Sequence, residues 1–483
     1  MARCAPFQGP KAPSGDGKAR PWLSDASVRC CCASIARTFG HYNVDMSELL
    51  CYIFAFIALT NGIYAGILKL YFIFNGVVFV YIKRALEKRI RKANENFRAL
   101  IVTGPRQVGK TTLLKYMAGD DRGYVTLDNP VEREAALSEP ALFTERNAPP
   151  VIIDEIQYAP NLLPYIKMHV DEHKIKGDYW LTGSQKFHLM KNVSESLAGR
   201  IAVIEMYGLS QSEIDGRESE PFACDHTAML NRADTCKLMS LMDVFNRIFI
   251  GSMPEAYTGS FDRNEFYSGY VKTYLERDVR ALTQVADEMD FFRFMTACAA
   301  RTSEIVNYTD LAKDIGISIP TAKQWLSVLV TSGIVSLIQP YHGNTLKRAI
   351  KSPKMYFMDT GLAVYLTRWQ DASTLEASAM SGKVFETYVV GEIIKSYHNA
   401  GIQPPIYYYR DTDGKEINLI LEYNGTIYPI EIKKTGNPGK NDIKNFSVLL
   451  NTGKPIGEGA VVCLYNRISP IDRNNWIIPA WLI

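Results

Sequence analysis

The sequence predicts an α/β protein: a parallel sheet flanked by helices, then a mainly helical region, then a smaller α+β domain. Three observations lead there. Short, almost wholly apolar runs alternate with helical stretches over Ala99–Thr103, Tyr124–Leu127, Val151–Asp154, Tyr179–Thr182 and Ile201–Met206. Such runs suit strands of a parallel sheet covered on both faces. The first run leads directly into a glycine-bearing turn and a helix. Further on, residues 240–345 read mainly helical, and 380–483 combine one helix with β-like segments rich in Tyr and Ile.

The chain of 483 residues has room for roughly three or four domains. The expected boundaries are 1–80, 81–215, 216–300, 301–379 and 380–483. Lys and Arg total 54 against 51 Asp and Glu, a formal charge of +3, so any nucleic-acid surface has to be local. Nine cysteines, five of them before residue 52, contain no C-x-x-C pair and make neither a disulfide framework nor a zinc ribbon. The seven histidines lack the H-E-x-x-H spacing of a zinc protease.

Residues 1–48 are rich in Gly, Pro, Ser, Arg and Cys and read as disordered. An almost wholly apolar run follows over 49–82, and Leu49–Leu68 alone is long enough to span a bilayer. The basic run Lys83, Arg84, Lys88, Arg89, Arg91 and Lys92 would then place everything after it in the cytoplasm, anchored to the inner membrane. The other reading is that translation begins at Val80 and the preface is a gene-call artefact. A membrane partner is expected only on the first reading.

The segment Gly104-Pro105-Arg106-Gln107-Val108-Gly109-Lys110-Thr111, followed by Thr112, has the G-x-x-x-x-G-K-[ST] spacing between a strand and a helix. Glycines let backbone N–H groups wrap phosphates closely. Lys110 is expected to meet the β- and γ-phosphates of ATP, Thr111 to ligate Mg²⁺, and the helix N-terminus to add its dipole. The first domain is therefore expected to be a P-loop NTPase. The strand Val151–Asp154 ends in two carboxylates, Asp154 to hold Mg²⁺ through water and Glu155 to activate the attacking water. The strand ending Thr182-Gly183-Ser184-Gln185 is expected beside the P-loop strand, with Thr182, Ser184 or Gln185 sensing the γ-phosphate. Arg200 is a candidate source of transition-state charge, in cis or to a neighbour.

Over Thr302–Arg348 two helical stretches separated by Gly316 are followed by a β-like run and the basic residues Lys347, Arg348, Lys351 and Lys354. This order resembles a winged helix-turn-helix with Thr321, Lys323 and Gln324 on its recognition helix. Near the C-terminus, Glu386 on a helix and the strands K-E-I-N-L-I-L-E and P-I-E-I-K-K place Asn418, Glu431 and Lys433 where PD-(D/E)xK nucleases keep metal-binding carboxylates and a lysine. Asn418 stands at the Asp position, so such a site would lack one anionic ligand.

Together with Y-L-E-R-D-V-R (Tyr274–Arg280) and Y-F-M-D-T-G-L (Tyr356–Leu362), these phrases make residues 81–483 resemble the AAA-like bacterial and archaeal P-loop ATPases. That family carries a C-terminal domain of unknown function with a PD-(D/E)xK nuclease-like fold. The resemblance implies an ATPase core, a helical lid, a winged-helix segment and the nuclease-like end, with Lys110, Thr111, Asp154 and Glu155 carrying the ATP chemistry. It names no substrate. The expected function is Mg²⁺-dependent ATP hydrolysis coupled to movement of lid and C-terminal domains on DNA, RNA, a protein partner or a second copy of the chain. An ATP-regulated nuclease and an ATP-controlled DNA-binding regulator are the alternatives. In Y-L-E-R-D-V-R, Glu276, Arg277, Asp278 and Arg280 read either as a salt-bridge network or, through an arginine, as a nucleotide contact.

Overall fold

The computed structural model describes residues 69–74, 77–184, 197–259, 261–275, 279, 288–341 and 352–483. All of these fall within the compact unit Ile67–Ile483. Gln185, Glu276, Arg277, Asp278, Arg280, Lys347, Arg348, Lys351 and the stretch 1–68 lie outside the described residues.

The first described element is a hairpin, not a helix. Strands β1 (Lys69–Phe74) and β2 (Val77–Ile82) pair antiparallel, with Phe74 opposite Val77. The intervening sequence, Asn75-Gly76, is the dipeptide that tight hairpins favour. The expected apolar span over 49–82 is thereby corrected for residues 69–82: an apolar run fits a strand as well as a helix when its turn chemistry is local. Among the described residues, no helix is long and apolar enough to cross a membrane.

Helix α1 (Glu87–Asn96) leads to β3 (Ala99–Thr103), the phosphate-loop segment and α2 (Lys110–Ala118). Then come β4 (Gly123–Thr126), α3 (Pro130–Ser138), α4 (Pro140–Arg146), β5 (Val151–Asp154), α5 (Leu163–His173), β6 (Tyr179–Gly183) and β7 (Ile201–Glu205). The five strands β3 to β7 form one parallel sheet in the order β4-β5-β6-β3-β7. Side chains of successive strand residues point to opposite faces. Leu100, Val102, Ile152 and Trp180 accordingly join one core, and Ala99, Ile101, Val151, Ile153 and Leu181 the other. Helices on both faces are what such a sheet needs, and the domain has the P-loop NTPase fold.

A short helix α6 (Gln211–Ile214), closed by a Ser210–Glu213 capping box, starts the connection to the helical region. Helices α7 (His226–Ala233), α8 (Leu241–Ile250), α9 (Glu255–Thr258), α10 (Arg263–Tyr274) and α11 (Glu288–Ala300) follow. Strand β8 (Glu304–Ile305) precedes α12 (Tyr308–Ile315) and α13 (Ile319–Thr331), which are N-capped by Asn307 and Ser318 and separated by Gly316 in the left-handed region. Strands β9 (Val335–Ile338) and β10 (Lys354–Phe357) complete a three-stranded sheet in the order β8-β10-β9.

Helices α14 (Thr360–Leu366) and α15 (Ala372–Glu376) connect to the long helix α16 (Ser381–Ala400). Strands β11 (Ile406–Arg410), β12 (Glu416–Tyr423), β13 (Thr426–Ile432), β14 (Gly459–Cys463), β15 (Ser469–Pro470) and β16 (Asn475–Pro479) form a mixed sheet in the order β11-β12-β13-β14-β16-β15. Helix α16 is buried along most of its length, and its Phe385, Val389 and Ile393 share a core with Phe245 and Ile248 of α8. The seam with the preceding region is partly β-structure, because Tyr341 N–H donates to the Tyr408 carbonyl at 2.6 Å and Tyr408 N–H to Gln339 at 3.1 Å.

Candidate functional site

The phosphate loop owes its shape to two glycines. Gly104 has φ +142°, and a Cβ there would sit 2.0 Å from the Met206 carbonyl oxygen. Gly109, at φ +92°, opens α2. Gln107 takes φ +60° and is exposed. Pro105 is buried beneath Gly333, where a Cβ would lie 2.9 Å from the proline Cγ. Lys110, 6% exposed, donates to the carbonyls of Gly104 at 3.0 Å and Pro105 at 2.7 Å.

Parallel pairing brings the carboxylates to this loop. β6 separates β5 from β3, as expected of the strand ending at Thr182. Asp154 Oδ1 accepts from Thr111 Oγ1 at 2.7 Å and from Thr182 Oγ1 at 2.5 Å. Its Oδ2 accepts from the Tyr124 hydroxyl at 3.1 Å. Glu155 sits in the left-handed region at φ +58°, with its N–H donating to Thr182 Oγ1 at 3.0 Å. Gln157 Nε2 donates to Glu155 Oε2 and to Ser184 Oγ, the latter at 3.3 Å. Burial, and then the Asp154 charge, push the Tyr124 hydroxyl well above its usual range, so it stays a donor. Burial lowers Lys115, with Asp154 opposing the shift, and its Nζ lies 3.7 Å from the centre of the Tyr124 ring.

An open cleft of about 930 Å³ lies over the loop, lined by Arg106, Gln107, Gly109, Thr111, Thr112 and Glu155 among others. The lining also includes Ile82, Leu209, Pro254 and Phe266, so the cleft offers apolar as well as polar surface. A phosphate chain with an aromatic body suits a lining of that mixed character. The oxygen-only set of Thr111 and Asp154 suits Mg²⁺ rather than a softer metal.

Arg200 does not join this group. It precedes β7, whose Ile201 is opposite Ala99, whereas the loop leaves β3 at the other end, after Thr103 opposite Glu205. About 13 Å of strand separates the two ends. Arg200 Nε donates to Asp171 and Nη1 to the Ala198 carbonyl at 3.0 Å. Action in cis on its own phosphate site is thereby corrected: Arg200 precedes the strand, and the loop lies at the strand's other end.

Three contributors were not read from the sequence. Tyr124 was hidden inside an apolar run. Gln157 followed the carboxylates without a spacing signal. Arg84 belongs to the basic run whose only expected role is to flank an apolar span, yet it is 4% exposed and Nη1 donates to the Val108 carbonyl inside the loop at 2.9 Å. Arg89 of the same run also turns inward, donating to the carbonyls of His398 and Val203 at 3.2 Å each.

The C-terminal residues converge as well. Asn418 Nδ2 donates to Glu386 Oε2 at 3.0 Å, and its Oδ1 accepts from Ile432 N–H at 2.9 Å. Lys433 Nζ lies 2.8 Å from Glu431 Oε1. Burial raises the Glu431 carboxyl, and Lys433 opposes the shift. The centre holds a cation of its own: Lys354 Nζ is 3.0 Å from Glu386 Oε1 and 2.6 Å from Glu416 Oε1. Lys354 was expected on an exposed basic wing; instead its side chain is 4% exposed. Among the described residues, no group of three or more His, Cys, Asp or Glu is placed to hold a metal ion.

Residues 96–215 match the family described as "AAA domain". Residues 242–373 and 381–483 match two families described as "Domain of unknown function", DUF8612 and DUF4143. The chain is 28% identical over 362 residues to "Uncharacterized protein Rv2008c" of Mycobacterium tuberculosis, covering 74% of this chain and 75% of that protein. The same figures hold for "Uncharacterized protein Mb2031c" of Mycobacterium bovis. Among solved structures, the Walker-type ATPase PABY2304 of Pyrococcus abyssi gives a TM-score of 0.37 at 13% identity, covering 60% of this chain and 96% of that one. A RuvB protein of Thermotoga maritima gives 0.26 at 15% identity, covering 52% and 88%. The AAA-domain match falls on the parallel sheet and its loop, so residues 96–215 are similar to an AAA domain and have the P-loop NTPase fold.

Proposed function

We propose that the protein is a Mg²⁺-dependent ATP hydrolase that uses the nucleotide cycle to move its helical and C-terminal domains against a nucleic-acid or protein partner. The observation that supports this most is the meeting of Thr111 and Thr182 on one oxygen of Asp154, with Lys110 in the same loop and Glu155 facing the cleft. In this reading Lys110 and the loop N–H groups bind the phosphates. Thr111 and Asp154 would hold Mg²⁺, which supplies charge neutralisation at the phosphates. Glu155 orients and deprotonates the attacking water, and Gln157 holds its carboxylate in place. Thr182 joins the Asp154 oxygen to the Glu155 backbone, so it is suited to register the state of the site. Domain movement is supported by the contact of Gly333 with Pro105, through which a displaced loop would press on the end of α13.

The test is ATP binding and phosphate release by the full chain, with and without DNA, RNA and co-purified protein. Binding that Lys110→Ala abolishes supports the reading, and stimulation by one additive names the partner class. Equal behaviour of wild type and Lys110→Ala defeats it. An ATP-regulated nuclease is less favoured, because Lys354 and the Asn418 amide already satisfy Glu386.

A further inference from the structure

A loop that points its N–H groups at phosphates turns carbonyl oxygens the other way, and those need donors. Arg84 supplies one from outside the loop. Its Nη1 donates to Val108 at 2.9 Å, its Nη2 to the carbonyls of Tyr207 at 2.7 Å and Gly208 at 3.4 Å, and its Nε to Glu213 Oε1 at 3.0 Å. One guanidinium thus fixes the distance between the phosphate loop and the segment that leaves β7. A rigid planar fork can do this; the three N–H bonds of a lysine radiate from a single nitrogen and cannot span these four separated acceptors.

The other side of that segment belongs to the C-terminal domain. Glu392 Oε2 of α16 accepts from Gln211 N–H at 2.7 Å, and Lys395 Nζ donates to the Leu209 carbonyl at 2.8 Å. Gln211 Nε2 also donates to the Trp481 carbonyl at 2.6 Å. Glu213 closes the chain of contacts, accepting from Ala85 N–H and Ser210 N–H at 2.8 Å each.

We propose that Arg84 is a positioning residue of the nucleotide site, setting the phosphate loop against the segment 207–214 that the C-terminal domain grips. Arg84 acts through the Val108 carbonyl and need not touch the nucleotide. The C-terminal domain is then part of the apparatus that shapes the ATP site, with Glu392 as its point of purchase. This rests on the ATPase reading given above.

The experiment compares steady-state ATP turnover by the full chain in wild type, Arg84→Lys, Arg84→Ala, Glu213→Gln and Glu392→Gln, with circular dichroism as the folding check. Losing a buried hydrogen bond that orders the loop should raise KM for ATP about tenfold in Arg84→Lys, with a smaller change in kcat. Glu213→Gln and Glu392→Gln should raise KM in the same direction by less. Millimolar guanidinium should recover part of the Arg84→Ala loss, an effect that a general loss of stability would not show. If Arg84→Ala does not fold, Arg84→Lys and Glu213→Gln carry the test. Wild-type KM in both of these folded variants overturns the proposal while leaving the ATPase reading intact. Absence of ATP binding by the wild type itself defeats both.

Discussion

Replacing Lys354 by methionine removes a cation from the centre of the C-terminal domain and keeps its apolar stem. The lysine side chain is 4% exposed, against 13% for Glu386 and 31% for Glu416. Removing one member of a buried ion pair costs about 3–5 kcal/mol, because the other charge is left without compensation. Two features place this case at the lower end. Water reaches Glu416 and screens it, and Glu386 keeps hydroxyl and amide donors from Tyr356 at 2.8 Å and Asn418 at 3.0 Å. A loss of about 3 kcal/mol is therefore expected, or on the order of 6–12 °C in melting temperature for a cooperative unit of roughly 150–250 residues. Burial alone would lower the Lys354 pKa, but Glu386 and then Glu416 outweigh it and raise the group above its ordinary value. The stabilisation in the wild type is thus fully present below about pH 10.4 and is lost as pH rises through the higher folded value. The variant lacks that contribution at every pH, so its deficit against the wild type should shrink as the pH rises from 8 through the raised folded value of Lys354. Differential scanning calorimetry across that range is the assay. Lys383→Met, which breaks a half-exposed pair with Glu304, is the control, and should stay within about 1 kcal/mol of wild type. A Lys354→Met protein that melts with the wild type, or whose deficit ignores pH, would refute the reasoning.

Other expectations concern the two centres separately. Glu155→Gln should retain ATP binding while phosphate release falls about 10²–10⁴-fold; unaltered release removes Glu155 from the role of base. Asn418→Asp places a further carboxylate beside Glu386 and Glu431, so it should lower the melting temperature, and added Mn²⁺ should raise it again in the variant but not in the wild type. A variant indifferent to Mn²⁺ would show that the cluster cannot be returned to metal binding by one charge. Gly333→Ala forces a Cβ at φ +74° and 2.9 Å from Pro105. About 1–2 kcal/mol of stability should be lost, with weaker ATP binding seen by calorimetric titration. An alanine variant with unchanged affinity would mean that Pro105 does not carry force to the loop.

The parallel sheet was legible because its signals are local. Five apolar runs, each followed by a turn and a helical stretch, leave little freedom in topology, and the loop Gly104–Thr111 has a spacing that few other structures need. Asp154 and Thr182 could be placed at the loop because parallel strands deliver their C-terminal ends to the same edge. Long-range partnership was not legible. Lys354 and Glu386 are separated by a helix-rich connection and belong to different sequence regions, so nothing in the basic run around Lys354 distinguishes a surface wing from a buried counter-ion. Arg84 was lost for the same reason: in a row of basic residues, only packing reveals which one turns inward. The apolar run at 49–82 shows a third limit. Hydropathy measures what a segment avoids, not the hydrogen-bond pattern by which it does so, and at 69–82 that pattern is a hairpin.

The position of Lys354 also bears on how this chain can be divided and recombined. Its amine comes from β10, ahead of the boundary at which the C-terminal domain begins, and it neutralises carboxylates beyond that boundary. Cut between the two, the C-terminal fragment keeps its acids and loses their counter-ion, along with the backbone pairing of Tyr341 and Tyr408 that lies across the seam. Such a fragment is not a cassette to be moved between proteins. A working chimera must take β10 with the segment it serves, together with β8 and β9, which pair with β10 on either side.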